Sequence, residues 1–434
     1  MISGTRKQQA LAAARPQRMG RVTRLVGLQL EVEGVAAAIG DSVQVMVGRE
    51  PLEAEVVAVH GDSLVCMPVG RLEGVRYGTP VATTGRPFEI PVGPALLGRV
   101  IDGLGRPIDG GPPLTGLPRV SIAGEPPHPL RRDKVDRQLT LGVRALDTLV
   151  PCGRGQRVGI FAGSGVGKSS LLSMITRGTS ADVSVIALIG ERGREVGEFI
   201  QRDLGPEGLA KAVVVVATSD EPALVRIRAA FTATRIAESF RDRGRDVLLM
   251  MDSLTRFAMA QREVGLSAGE PPASRGYPPS VFAMLPRLLE RAGAAEVGSI
   301  TGLYTVLVEG DDMNEPIADT VRSILDGHVV LTRKLATAGH FPSIDVLESI
   351  SRVEGAIVRP DDRKAASELR GLMASLRDAR DLVDIGAYVP GSNAQVDRAL
   401  RLGDFIEAFL RQDMGHVVSA EDSWATLRAL MATP

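Results

Sequence analysis

Aromatic residues make up only 3% of this 434-residue chain, with one Trp, four Tyr and ten Phe. Leu, Val, Ile, Ala and Met must therefore fill the core, and platforms for stacking the bases of single-stranded nucleic acid are scarce, which disfavours an RNA translocase. Cysteine is scarcer still. Cys66 and Cys152 supply neither a metal cluster nor a disulfide framework, and this fits a reducing cytosol. The formal net charge of −1 gives no global drive toward nucleic acid or anionic membrane. No stretch approaches the roughly 18 consecutive apolar residues needed to cross a bilayer, and no secretory apolar region opens the chain. A cytosolic protein, at most peripheral to a membrane, is expected.

What is present is globular: 44% hydrophobic and 24% charged residues, in a chain long enough for two to four domains at roughly 100–200 residues each. Its most informative stretch is Ala162-Gly163-Ser164-Gly165-Val166-Gly167-Lys168-Ser169. The apolar run before it reads as a buried strand, and the run from Ser170 to Ile175 reads as the opening of a helix. Glycines in such a strand-to-helix turn let the backbone amides and the positive end of the helix dipole face a polyphosphate. Lys168 reaches the outer phosphates as a point charge, and Ser169 offers a hydroxyl to magnesium. Residues 163–170, that is Gly163, Ser164, Gly165, Val166, Gly167, Lys168, Ser169 and Ser170, are the expected nucleotide-binding set. Ala162 stands where the usual pattern has Gly, and a small residue suffices there if its φ is negative.

Residues 1–20 form a basic arm, with Arg6, Lys7, Arg15 and Arg18 and no acidic residue before Glu31. It reads either as a docking arm for a partner or anionic lipid, or as a solvated tail. Over 21–88, five or six short Val-rich runs alternate with turns and predict a small β-barrel. A Pro/Gly-rich stretch follows. Within 89–358, uninterrupted apolar strands at 183–189, 212–217, 246–251 and 299–307 alternate with helices, predicting an α/β domain whose mostly parallel sheet is covered on both faces. The remainder, 359–434, carries helical spacing over 365–383 and 396–410 and predicts a helical domain.

Hydrolysis needs more than a phosphate loop: a partner for magnesium, a group to orient water, and charge for the transition state. Asp252 ends a buried strand at the sheet edge where ligands of open α/β folds collect. It reads as the carboxylate that holds hydrated magnesium, or as the cap of a following helix. Glu191 ends another apolar strand. It suits polarisation of an attacking water, while its spacing alone equally allows a solvated loop of mixed charge.

Four further motifs follow the loop in order: Ile189-Gly-Glu-Arg-Gly-Arg-Glu-Val196, Met250-Met-Asp-Ser-Leu-Thr-Arg-Phe257, Gly339-His-Phe-Pro-Ser-Ile-Asp345 and Ser349-Ile-Ser-Arg-Val353. Together they resemble the catalytic subunits of the rotary ATP synthase superfamily. With Gly269-Glu-Pro-Pro-Ala-Ser-Arg-Gly-Tyr-Pro-Pro-Ser-Val-Phe282 and Asp384-Ile-Gly-Ala-Tyr-Val-Pro-Gly-Ser392, the chain is most similar to the flagellar protein-export ATPases, part of the type III secretion ATPase family. The resemblance implies ATP and Mg2+ as ligands and Glu191 as the general base, followed by Arg192 as a coupling arginine. It also implies Arg352 as an arginine finger that enters the neighbouring subunit's site, and Phe341 as the aromatic that stacks on adenine. By itself Arg352 reads as a surface ion-pair residue, and core packing is the lesser alternative for Phe341. The segment 266–280 matches the loop that faces the central channel of the ring; Asp311 and Asp312 carry no assigned role.

One chain thus holds both in-cis parts (Lys168, Glu191, Asp252) and a trans-acting Arg352, so identical copies complete each other's sites in a closed ring, with six members implied by the family. The leading function is the export motor that frees cargo from chaperones and delivers it to an export gate, at the inner face of the cytoplasmic membrane. Implied partners are a stator-like regulator, a stalk, the gate and chaperone–cargo complexes, with no nucleic acid. Virulence-type secretion motors are the nearest alternative, but they tend to carry Cys and Thr where this chain has Val166 and Ser169. A synthase subunit is disfavoured by the form of the loop and by the lack of an acidic stalk-contact motif in the C-terminal helices. A non-catalytic nucleotide-holding subunit would have glutamine at 191. The family's arm often docks through aromatics, whereas no Phe, Trp or Tyr precedes Tyr77 here, so any docking falls to Ile2, Leu11, Met19 and the basic face.

Overall fold

A computed structural model describes residues 19–48, 51–308 and 312–433. Almost all of the basic arm, and Asp311, lie outside the described residues. Strands β1 (Met19–Val26), β2 (Gln29–Glu33), β3 (Asp41–Val45), β4 (Leu52–His60), β5 (Ser63–Pro68) and β6 (Pro80–Pro87) close into a barrel in the order β1-β2-β5-β4-β3-β6. Period-two alternation turns Leu30 and Val32 of β2 inward to join Val22, Val43, Val45, Val56, Leu64 and Val81. Cys66 is another of these inward residues, and burial pushes its thiol up to about 12, which makes it an inert core residue.

Beyond the barrel, β7 (Glu89–Pro91) pairs with β9 (Arg119–Ser121), and β10 (Gln138–Leu139) with β11 (Cys152–Gly153). The main sheet consists of β8 (Val100–Asp102), β12 (Arg157–Ala162), β13 (Val183–Ile189), β14 (Ala212–Ala217), β15 (Asp246–Asp252), β16 (Gly293–Ala294), β17 (Ser299–Leu307), β18 (Gly327–Leu331) and β19 (Ile344–Ser351). Its order is β19-β18-β12-β17-β15-β13-β14-β8, with β16 on the flank of β17. All pairs are parallel except β16 on β17 and β19 on β18.

The central strands read as continuous apolar runs because each is buried on both faces. Val183, Val185, Ala187 and Ile189 of β13 join one cluster with residues of the helices Ala223–Arg241, Leu254–Ser267 and Pro279–Leu289. Ile186 and Leu188 point the other way, into a second cluster. This one holds Leu171, Leu172 and Ile175 from the helix Lys168–Gly178 together with Leu369, Leu402 and Leu427 from the C-terminal helices. The C-terminal domain and the helix of the phosphate loop therefore share one core.

Three C-terminal helices are present, Pro360–Asp384, Ala394–Leu410 and Ala420–Ala432, one more than the two periodic stretches predicted. The second starts where the Asn393 side chain accepts the Gln395 and Val396 amides, and the third where Ser419 accepts that of Asp422. Such caps contribute about 1 kcal/mol each. The third helix is docked by Trp424, 4% exposed, whose indole N–H donates to Gln138 Oε1 at 3.2 Å.

Candidate active site

Between β12 and the helix Lys168–Gly178 the chain turns through Gly165 and Gly167, at φ +76° and +91°. Side chains rarely adopt that backbone, and a Cβ on Gly167 would also stand 3.3 Å from the Phe341 ring. Val166 is 1% exposed and anchors the loop's underside, where its carbonyl accepts the Ser343 hydroxyl. Gly167 offers no side-chain acceptor to the first helical turn, so no side chain caps those amides and they are available to an anion. Ser164, Gly165 and Ser169 are exposed there, and Ser170 is half-buried.

β13 and β15 are parallel neighbours with Leu188 opposite Asp252, so both strands end at the same edge. Asp252 is the last residue of β15, and Glu191 lies two residues beyond β13. Gly190, at φ +69°, makes the bend between them, packed so closely that a Cβ would stand 2.9 Å from Arg256 Cβ. Lys168 projects from the loop into this corner. Its ammonium pairs with Asp252, and Nζ lies 3.7 Å from Glu191 Oε1. Asp252 Oδ1 also accepts the hydroxyl of the fully buried Thr305 at 2.7 Å. The side chains of Lys168, Glu191 and Asp252 are 12%, 15% and 7% exposed, so this is a water-poor corner in which charge is costly unless paired. Burial first, and then the Asp252 charge, raise the Glu191 pKa above the usual carboxylate value, with Lys168 and Arg256 opposing.

Two neighbours escaped the sequence reading. Thr305 interrupts the apolar run of β17 with a hydroxyl, a signal that becomes readable only once β17 is placed beside β15. Arg256 sits four residues after Asp252 within a quoted motif, and its charge favours the ionised form of Glu191.

Phe341, 46% exposed, borders a cavity of about 530 Å3 lined by Gly167, Ser170, Leu171, Gln412 and His416 among others. The cavity joins two domains, because the Gln412 amide N–H donates to the Phe341 carbonyl at 3.0 Å. Arg192 is not drawn into the corner: its side chain is 74% exposed and bonds Glu195 at 3.2 Å. Arg352 stands elsewhere altogether. Ser351 pairs with Gly327, and His328 with Gly159, so Arg352 follows the strand level with the beginning of β12. At about 3.3 Å per residue, the four steps from Val158 to Ala162 separate it from the phosphate loop by roughly 13 Å or more. Its guanidinium is exposed and forms no hydrogen bond or ion pair with the described residues.

The donor set fits a nucleotide polyphosphate with a divalent cation. Gly165 has nothing within 4 Å of where a Cβ would lie, leaving backbone amides open to approach. The Asp252 carboxylate pairs with the Lys168 ammonium, and Ser169, next in the loop, is exposed; a carboxylate and a hydroxyl are the oxygen chemistry that magnesium takes.

Residues 142–351 match the ATP synthase alpha/beta family, nucleotide-binding domain, and residues 358–429 match the T3SS EscN ATPase C-terminal domain. A flagellum-specific ATP synthase of Bacillus subtilis (strain 168) is 51% identical over 417 residues, covering 95% of each chain. Among solved structures, the assembled ATPase EscN of the enteropathogenic E. coli type III secretion system aligns with a TM-score of 0.91 at 48% identity, over 95% of this chain and 100% of that one. The same ATPase in complex with its central stalk EscO gives 0.89 at 47% identity, with the same coverage.

Proposed function

We infer the function from the premise that this chain belongs to the ATP synthase alpha/beta family, in the group of flagellum-specific ATP synthases and type III secretion ATPases. It is an ATPase, and it powers the flagellar type III protein export apparatus. The observation that carries the mechanism is the split of charged groups: Lys168, Glu191 and Asp252 share one sheet edge while Arg352 leaves the other.

The amides of residues 163–170 cradle the phosphates, and Lys168 Nζ binds the outer ones. Ser169, and Asp252 through water, would hold magnesium, which would supply positive charge against the phosphates. Glu191 orients the attacking water and accepts its proton at the carboxylate, for which a raised proton affinity is suited. Thr305 holds the Asp252 carboxylate so that it does not turn toward Glu191. Phe341 stacks on the base beside the cavity it shares with Gln412. Arg352 of one subunit completes the site of the next, supplying charge where the transition state develops it, and Arg192 relays the state of Glu191 to that neighbour.

A head-to-tail contact of this kind closes into a ring, here of six copies. The relative EscN has been solved with a central stalk, and the segment 266–280 is the part of this chain that faces such a stalk. The ATP cycle releases cargo from chaperones and delivers it to the export gate. Residues 1–20 dock a stator-like regulator at the inner face of the cytoplasmic membrane. Among the described residues no helix is long and apolar enough to cross that membrane.

Phosphate release measured against protein concentration tests the shared site. Specific activity should rise as subunits associate. Activity independent of concentration, together with a fully active Arg352→Ala, would sink the model. Pull-down from the native cytosol separates flagellar from virulence apparatus by the chaperones recovered, and loss of the regulator on removing residues 1–20 tests the arm.

A further inference from the structure

Immediately before β12 lies a glutamine with no exposed surface, Gln156. A buried primary amide persists only when its donors and acceptor are bonded, so its partners show what it holds. Its Oε1 accepts the Gly153 amide at 2.8 Å. Its Nε2 donates to the Asp326 carbonyl at 3.0 Å and to Ser351 Oγ at 3.3 Å. That same Asp326 carbonyl accepts the backbone N–H of Arg352 at 3.0 Å.

Asp326 is fixed from its other side by the next residue of β12. Its carboxylate accepts Nε and Nη2 of Arg157 at 3.0 and 3.1 Å and the Arg157 amide at 3.1 Å, and its own N–H donates to the Arg157 carbonyl at 2.8 Å. Gly327 leaves room for the amide: a Cβ there would lie 2.6 Å from the Ile350 carbonyl oxygen and 3.1 Å from Gln156 Nε2. Among the described residues Arg352 is thus tied down by its backbone alone, and its side chain is free to leave the subunit.

We propose that Gln156, acting through Asp326 and Ser351, is a positioning residue for the arginine that this subunit lends to its neighbour. The proposal rests on the trans role of Arg352 given above. Its consequence is that one strand, β12, carries the lent arginine's mount at its first end and the subunit's own phosphate loop at its last. A shift of the loop is then a shift of the mount, which couples a subunit's own nucleotide to the completion of the next site.

The test uses full-length chains mixed before assembly. Gln156→Met keeps the volume and removes the amide. Alone it should lower kcat by about 10- to 100-fold, the scale expected for a catalytic group displaced by an ångström or less, with KM for ATP unchanged. Lys168→Ala has a dead site of its own and a sound arginine. In an equal mixture, half of the Gln156→Met sites receive an intact arginine, so turnover should recover to about a quarter of wild type in a randomly assembled ring. An equal mixture of Gln156→Met with Arg352→Ala should stay low, because neither partner lends a well-placed guanidinium. Ser351→Ala, which removes the second acceptor, should repeat the pattern more weakly and serves in place of Gln156→Met if that chain does not fold.

If Arg352→Ala and Lys168→Ala restore each other but Gln156→Met or Ser351→Ala is not restored by Lys168→Ala, the positioning role is overturned while the trans arginine stands. Full activity of Gln156→Met alone overturns it as well. If Arg352→Ala and Lys168→Ala fail to complement, the shared site itself falls.

Discussion

The two edges of the central sheet carry the same kinds of residue to opposite ends. At the carboxyl edge, Lys168, Glu191 and Asp252 are largely buried and satisfied by one another. At the amino edge, Arg157 and Asp326 are locked together, yet Arg352 beside them is exposed and without a side-chain partner among the described residues. Burial makes the first edge a place where small displacements change proton affinity and charge strongly. Exposure leaves the guanidinium of the second edge free to make charge-assisted hydrogen bonds outside its own subunit, as the proposed trans role requires. On the proposed trans role of Arg352, each site is complete only in an assembly.

The largest effect should come from the buried edge. Lys168→Ala should abolish phosphate release, a fall of about 1,000-fold or more, and should also weaken nucleotide binding as read by fluorescent-nucleotide titration. Retained binding with unchanged affinity would move Lys168 out of the phosphate site. Next, Arg352→Ala should lower kcat by about 1,000-fold, the lower end for arginine fingers, while nucleotide affinity stays within a few-fold. If binding fell as far as turnover, the two edges would not differ in kind.

Glu191→Gln should cost about 100-fold or more in kcat, and it has a second signature in stability. Burial raises the folded-state pKa of Glu191 above its unfolded value. Its protonated form therefore favours folding at low pH, and that contribution is lost as pH rises through the folded pKa. At pH 8 the ionised carboxylate costs stability, so Glu191→Gln should melt higher than wild type. The gap should close as pH falls toward about 4, where the unfolded carboxylate also protonates. Wild-type turnover should correspondingly fail on the acid side at a pH above the ordinary glutamate range. Equal melting of the two proteins at pH 8 would show that the corner is better solvated than its exposure indicates.

Smaller effects sharpen the boundary of the buried edge. Phe341→Ala should raise KM for ATP by about 10-fold, since stacking on a base is worth roughly 1–3 kcal/mol, with little change in kcat. Thr305→Val, which keeps the shape and deletes one hydrogen bond to Asp252, should lower kcat by about 3- to 10-fold through a loss of roughly 1 kcal/mol. A silent Thr305→Val would mean that Lys168 alone orients Asp252.

Much of the buried edge is legible in the sequence. The phosphate loop is local in sequence, and Glu191 and Asp252 stand at the ends of apolar runs whose continuity itself reports burial on both faces. The barrel was legible from its alternation. The strands β18 and β19 were not, because His328, Val330, Asp345 and Glu348 interleave partly exposed residues among the buried ones and hide the run. Thr305, Arg256 and Gln156 were missed for a different reason: each acquires its meaning only from strand order or register. Arg352 was suggested by resemblance, and the antiparallel pairing of β19 with β18 carries it to the sheet edge opposite its own loop.

The chain contains one tryptophan, and it is the residue that docks the last C-terminal helix onto Gln138. Its emission therefore reports a single event in each subunit. Docked, an indole 4% exposed should emit toward the blue; release of the helix into water should redden and quench it. Because that helix shares its core with the helix of the phosphate loop, adding nucleotide to unlabelled protein in a stopped-flow cuvette offers an optical clock for the motion that passes from the bound phosphates to the far end of the molecule.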